Sequence, residues 1–273
     1  MANLADRPAT TAVREAQELT LDRMLQALDQ RGLAARPETL NDLGVFLAGR
    51  GRSDEAIACY RRALALRPDY ALALNNLGLA LRGLGRLDEA VAAHRRAVAI
   101  DPACADGHDA LAAALAKVGQ AEAAVGHYRR ALSLDPDHVE ALVNLGNLWR
   151  GAGRLDDALA LQRRAAALRP RDAEVLNNLG ITLRERNDVA EAIDCFRRAV
   201  AAQPGHAGAH VNLGMTLLAT GRFAEGCAEY EWRCRSDARP PGLEAPLWDG
   251  RPLGQGTLLL WPEQGLGDAI QFI

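Results

Sequence analysis

A glycine returns every 34 residues at Gly44, Gly78, Gly146, Gly180 and Gly214, with Ala112 in the remaining place. A second register runs Gly51, Gly85, Gly119, Gly153, Asn187 and Gly221, and a third runs Pro68, Pro102, Pro136, Pro170 and Pro204. Three registers that keep one period restrict the chain to a stack of similar units, each burying its apolar face against the next.

The stretch from Ala71 to Cys104 shows what one unit asks for. Leu74, Leu77 and Leu81 form a helical stripe, and Gly85 ends that helix by taking the left-handed conformation that costs other residues a Cβ clash. Asn187 stands at the same place in a later unit, and Asn is the next most tolerant residue there. Asp88 and Glu89 suit the positive end of a second helix, and Pro102 disfavours helix at the residue before it. The spacing therefore predicts a helical hairpin. A mid-helix glycine costs about 1 kcal/mol against alanine. Five at one place, facing the small Ala56, Ala90, Ala124, Ala158 and Ala192, imply a close crossing of the two helices.

The spacing of Leu77, Gly78, Leu81, Ala90, His94, Ala97 and Pro102 resembles the tetratricopeptide repeat. His94 departs from its aromatic, which Tyr60, Tyr128, Phe196 and Tyr230 supply in other units. Six units follow: 37–70, 71–104, 105–138, 139–172, 173–206 and a degenerate 207–238, where Gly226 and Arg233 replace the small alanines. The resemblance implies an all-α, right-handed superhelix whose first helices line a concave face that holds a polypeptide or protein. Residues 1–36 read as a leader with a helix from Thr11 to Gln30 that covers the first repeat, with Leu21, Met24, Leu25 and Leu28 at helical spacing.

One inward place reads Asp42, Asn76, Ala110, Asn144, Asn178 and Asn212. An amide offers both a donor and an acceptor, so this row either grips a peptide backbone or satisfies neighbouring helices. A similar asparagine ladder occurs in the repeat domain of O-linked N-acetylglucosamine transferases. Arg82, Arg150 and Arg184 recur near the same face and could hold acidic side chains. A carboxylate clamp is not expected, because the first two units place Asn41, Val45 and Asn76 where it needs basic residues. The in-phase pairs Arg61-Arg62, Arg95-Arg96, Arg129-Arg130, Arg163-Arg164 and Arg197-Arg198 read as a solvated, charge-balanced face.

Composition narrows the function further. The net charge of −3 gives no footprint for nucleic acid. No apolar run reaches the ~18 residues of a membrane span, and the first twenty residues lack the apolar stretch of a signal peptide, so the cytoplasm is expected. Lys117 is the one lysine among 32 basic residues, a bias expected of a GC-rich, bacterial coding sequence. The five cysteines include no C-x-x-C, which favours buried small side chains over disulfides or metal. His206 and His210 are four apart, but Pro204 and Gly205 place His206 outside a helix, and no metal or cofactor is expected. The repeats contain no G-x-S-x-G, P-loop or H-E-x-x-H motif.

After Arg235 the composition changes. Residues 239–254 are rich in Pro and Gly and read as a linker. Residues 255–273 then read as a strand (Thr257 to Trp261), a glycine turn with Gly265 and Gly267, and the start of a helix. Three stretches carry a second resemblance: Glu229 to Arg233, Trp248-Asp249-Gly250, and Glu263 to Phe272. They are similar to bacterial proteins in which tetratricopeptide repeats run into a heptosyltransferase-like glycosyltransferase domain. That resemblance implies that Gly265 and Gly267 approach the acceptor or sugar and that Asp268 occupies the place of the family's proposed base. A helix cap is the plain alternative for Asp268. One strand and part of a helix cannot bury a core, so no catalysis is expected of this chain. It reads as a fragment of a longer enzyme or as a natural short product. An exposed Leu258-Leu259-Leu260 invites self-association. A free-standing adaptor is the other reading.

Overall fold

The computed structural model describes residues 20–30, 32 and 36–235. Among these, thirteen α-helices follow one another: α1 (Leu21–Asp29), α2 (Pro37–Gly49), α3 (Ser53–Leu66), α4 (Ala71–Gly83), α5 (Leu87–Ile100), α6 (Ala105–Lys117), α7 (Ala121–Leu134), α8 (Val139–Gly151), α9 (Leu155–Leu168), α10 (Ala173–Glu185), α11 (Val189–Ala202), α12 (Ala207–Ala219) and α13 (Phe223–Tyr230). A short 3-10 helix, Glu231–Arg235, comes last. No strand occurs among the described residues. The expected strand and glycine turn of residues 255–273, with Gly265, Gly267 and Asp268, lie outside them, as do the linker and the first part of the leader. The chain divides into two compact units, the first ending at Leu168 and the second beginning at Arg169.

From α2 onward the helices form hairpins, and each hairpin turns the same way. Gly51, Gly85, Gly119, Gly153 and Gly221 have φ between 73° and 81°, and Asn187 has φ 72°. The residue after each donates its N–H five residues back, as in Arg86 to the Leu81 carbonyl at 2.9 Å and Asp188 to Leu183 at 2.8 Å. This six-to-one closure satisfies a carbonyl that the helix end leaves orphaned. The turn then places Arg86 so that its guanidinium reaches Glu89 in the first turn of α5 at 2.7 Å. Arg52–Glu55, Arg154–Asp157 and Arg222–Glu225 repeat the arrangement.

The two helices of a hairpin do cross closely at the recurring glycine, and the atoms nearest it belong to the residue sixteen places on. A Cβ at Gly44 would stand 2.4 Å from the Tyr60 ring, at Gly78 2.5 Å from the His94 ring, and at Gly180 2.6 Å from the Phe196 ring. The glycine is therefore a seat for the large side chain sixteen residues on. Tyr60, His94, Tyr128 and Phe196 are all 2% exposed or less. In the third hairpin Ala112 and Tyr128 share one core cluster. In the last hairpin backbone meets backbone instead: a Cβ at Gly214 would lie 2.6 Å from the Tyr230 nitrogen, and one at Gly226 2.9 Å from the Leu218 nitrogen. That hairpin also has the short second helix, eight residues in α13 against fourteen in α11.

Within the first unit, α1 covers the open end of the stack. Leu25 packs with Leu40, Ala63 and Ala73, while Leu21 and Met24 extend the cluster around Leu47 and Tyr60. Leu21–Asp29 falls within the expected Thr11 to Gln30 helix, and residues 11–19 lie outside the described residues.

The paired arginines bridge hairpins as well as facing water. Arg61 reaches Glu89 at 3.3 Å and Arg197 reaches Glu225 at 3.1 Å, each one hairpin forward. Arg96 and Arg198 donate backwards to the carbonyls of Pro68 and Pro170. Water and salt screen these exposed pairs, so each contributes little to stability.

Candidate ligand-binding face

On each first helix, the residue two before the recurring glycine belongs to the asparagine row, and the residue after the glycine lies one turn further along the same face. In α4 this stripe reads Leu72, Asn76 and Leu79, with Leu72 53% and Leu79 39% exposed. Val45 in α2 and Met215 in α12 occupy the register of Leu79 and are 49% and 39% exposed. Apolar side chains left in water at one repeating position are unlike the rest of these helices, whose other Leu positions are largely buried.

The asparagines are half-buried or buried, and their amides are partly engaged. Asn76 Nδ2 donates to Asn41 Oδ1 at 2.9 Å, Asn144 to Asp109 at 3.2 Å, and Asn212 to Asn177 at 2.9 Å. Each bond ties a first helix to the first helix of the preceding hairpin. Asn178 turns instead to its own helix, donating to the Glu174 carbonyl at 2.9 Å. The row therefore works through residues one place before it, Asn41, named only as unsuited to a carboxylate clamp, and Asp109 and Asn177, which sequence reading passed over. Their signal is a polar residue three before the glycine. Ala110 has no donor to offer Asn75, whose Oδ1 meets His94 Nδ1 at 2.8 Å.

Burial pushes the Asp109 carboxyl above the ordinary range, against the lowering influence of Asn144, His138 and Arg82. Arg82, Arg150 and Arg184 are all half-buried. Arg184 donates to Asn212 Oδ1 at 3.3 Å and lies 5.8 Å from the Phe196 ring centre, so one arginine and one asparagine of the expected set are brought together.

The histidines are structural. His138 and His206 precede α8 and α12, and each Nδ1 accepts an N–H from the first turn, Ala141 at 3.2 Å and Ala209 at 3.0 Å. Each Nε2 then donates to a carboxylate of the previous hairpin, Asp106 at 2.9 Å or Glu174 at 3.0 Å. His210 faces the Pro204 carbonyl and Glu229, and stacks on Trp232 at 3.9 Å between ring centres. His206 and His210 thus have separate partners. No group of three or more His, Cys, Asp or Glu among the described residues is placed to hold a metal ion. No described helix is long and apolar enough to cross a membrane.

Comparison with known families matches one tetratricopeptide-repeat profile over residues 35–103 and 137–204, half of the chain. Two further tetratricopeptide-repeat profiles match 105–148 and 207–232. A comparison with curated protein sequences finds no match. Among solved structures, a chain of the APC/C heterotetramer Cut9–Hcn1 aligns over 80% of this chain and 43% of its own length, with TM-score 0.71 and 16% identity. TTC0263, a thermophilic TPR protein of Thermus thermophilus, aligns over 67% of this chain and 99% of its own (TM-score 0.59, 24% identity). YrrB, described as a TPR protein with an unusual peptide-binding site, aligns over 70% and 97% (TM-score 0.51, 22% identity). At these identities the likeness is one of fold.

Proposed function

The chain belongs to the tetratricopeptide-repeat family, and from that premise we propose that it is a scaffold that binds a protein or peptide segment along its first helices. The observation that carries this reading is the exposed apolar register of Val45, Leu79 and Met215 beside the amide row. Apolar side chains exposed at one register of the first helices mark an interaction surface within each unit, and the adjoining amides and arginines supply polar contacts that fix a backbone. Asn76, Asn144, Asn178, Asn212, Arg82, Arg150 and Arg184 are the proposed polar contacts. At Asn76, Asn144 and Asn212 one amide hydrogen is already spent within the protein, which leaves the apolar register the larger share of the contact.

The reading is tested with an array of unstructured peptides and two exposed substitutions, Leu79→Glu and Met215→Glu. Glu is a good helix former, so melting temperature should hold within a few degrees, while affinity for any captured peptide should fall about tenfold or more. Undiminished affinity in both variants would remove the first-helix face from the proposal.

The finer proposal is that this scaffold serves as the recognition arm of a glycosyltransferase. It is supported by the sequence resemblance at Glu229–Arg233, Trp248–Gly250 and Glu263–Phe272 alone. Under it, the chain itself is expected to show no turnover of nucleotide sugars. Turnover that disappears in Asp268→Ala would mean that the residues after 255 form a working site.

A further inference from the structure

Repeat four breaks the pattern of its neighbours at one covered position. Four residues before the left-handed turn stand Leu47, Leu81, Leu115, Leu183 and Leu217, each 0% or 1% exposed. At the same place α8 carries Trp149, which is only half-buried. A groove of about 660 Å³ opens beside it, lined by Glu122, Val125 and Arg129 of α7 and by Leu148, Trp149 and Arg154 among others. That volume lies within the range of ligand pockets.

The charges around the groove also depart from the series. Arg61, Arg95 and Arg197 each reach a polar side chain of the following hairpin, Glu89, Gln120 and Glu225. The acid in register with Arg129 is Asp157, and it pairs with Arg154 at 2.6 Å instead. Arg129 lies with its guanidinium 5.9 Å from the Trp149 ring centre, and Arg154 lies at 4.6 Å. Neither Arg129 nor Glu122, both exposed, forms an ion pair with a described residue. They are seven residues apart on α7, two turns on one face, or about 10 Å. A polyproline-II segment advances ~3.1 Å per residue with three residues per turn, so residues three places apart share one side and span about the same length.

We propose that this groove seats a peptide segment in the polyproline-II conformation, bearing a basic and an acidic residue three places apart, with apolar side chains between them. The basic side chain pairs with Glu122, the acidic one with Arg129, and the apolar ones lie on Val125 and Leu148 beside the Trp149 ring. Arg129 stacked on the indole is held in place for the carboxylate. The proposal rests on the peptide-binding reading above and names the partner's chemistry.

The test uses the full chain and three fluorescent peptides with neutral flanks, whose centres are Lys-Leu-Leu-Glu, Glu-Leu-Leu-Glu and Lys-Leu-Leu-Lys. The mixed-charge peptide should bind about tenfold more tightly than the other two. Arg129→Glu should shift the preference to the doubly basic peptide, and Glu122→Arg to the doubly acidic one. Trp149→Leu restores the residue found elsewhere at this position, so the fold is retained while affinity for all three falls. A charge preference that does not move in the two charge variants overturns the groove. If none of the three peptides binds while the wider array yields ligands, the groove fails and the scaffold reading stands. If the array is blank as well, both fail. Self-association of the chain that Trp149→Leu abolishes would assign the groove to a second copy and also overturn the proposal.

Discussion

Phe196→Ala should lower the unfolding free energy of the second unit by about 3–5 kcal/mol, the largest loss expected of any single substitution considered for this chain. The Phe196 ring is 0% exposed and fills the place where a Cβ on Gly180 would stand. The glycine brings the α10 backbone up to the ring, and Arg184 lies 5.8 Å from the ring centre. Removing the ring leaves a space bounded by helix backbone, which collapses poorly, so a cavity cost adds to the lost burial. Repeat proteins unfold by neighbouring modules, so the effect is best read locally. Amide hydrogen exchange across α10 and α11 should lose the corresponding protection, and the urea midpoint of the second unit should fall. A loss below about 1 kcal/mol would show that the hairpin is held by something other than this ring.

How much of this was legible in the sequence depends on how local each device is. Gly85 and Asn187 declare their left-handed turn because the conformation is a property of the residue itself, and the helices end there as expected. The role of Gly78 was half legible. Its recurrence with Ala90 signals close approach, but nothing local says that the His94 side chain of the second helix will lie over it. The asparagine row shows the same limit at longer range. Asn76 meets Asn41, a residue 35 places away, through a register that exists only once hairpins stack. The interruption at Ala110, visible in the sequence, acquires its meaning from Asn75, which pairs with His94.

Trp149 carried a signal that was available and unused: a tryptophan where five leucines define the period. Its partial exposure and the groove beside it accompany an indole in a place that holds leucine elsewhere, and Arg129 lies 5.9 Å from the ring centre. Such exceptions to a repeat are where a scaffold can be specific, since the regular positions are occupied by the work of stacking. The binding reading therefore rests on what the period does not explain, the exposed Leu79 and Met215 as much as the half-covered Trp149.

His94 is the exception inside the core, and it should make the first unit sensitive to acid. It occupies the place of Tyr60, Tyr128 and Phe196 with 0% exposure. Its Nδ1–H donates to Asn75 Oδ1 at 2.8 Å, and its Nε2 has no hydrogen-bond partner. A proton on Nε2 would therefore place a buried charge and an unpaired N–H against Gly78. Burial first, and then the charge of Arg82, hold the imidazole down at about 4 against an ordinary value of 6.5. The unfolded chain takes up the proton first as pH falls, so the contribution of neutral His94 is complete above about pH 6.5 and is lost progressively toward pH 4. The amount at stake is about 3 kcal/mol. His94→Phe gives the second hairpin the residue that Gly180 already accommodates in the fifth. It frees the half-exposed Asn75 to bond with water and removes the titration. Urea unfolding of both proteins at a series of pH values should show the variant gaining on the wild type as pH falls. The carboxylates of half-buried Glu55 and exposed Glu89, which their arginines hold low, titrate in both proteins and cancel in that difference. So does His127, held low first by burial and then by His108 and Arg95. A stability difference that stays constant from about pH 7 to about pH 4 would mean that His94 is not buried as a neutral ring.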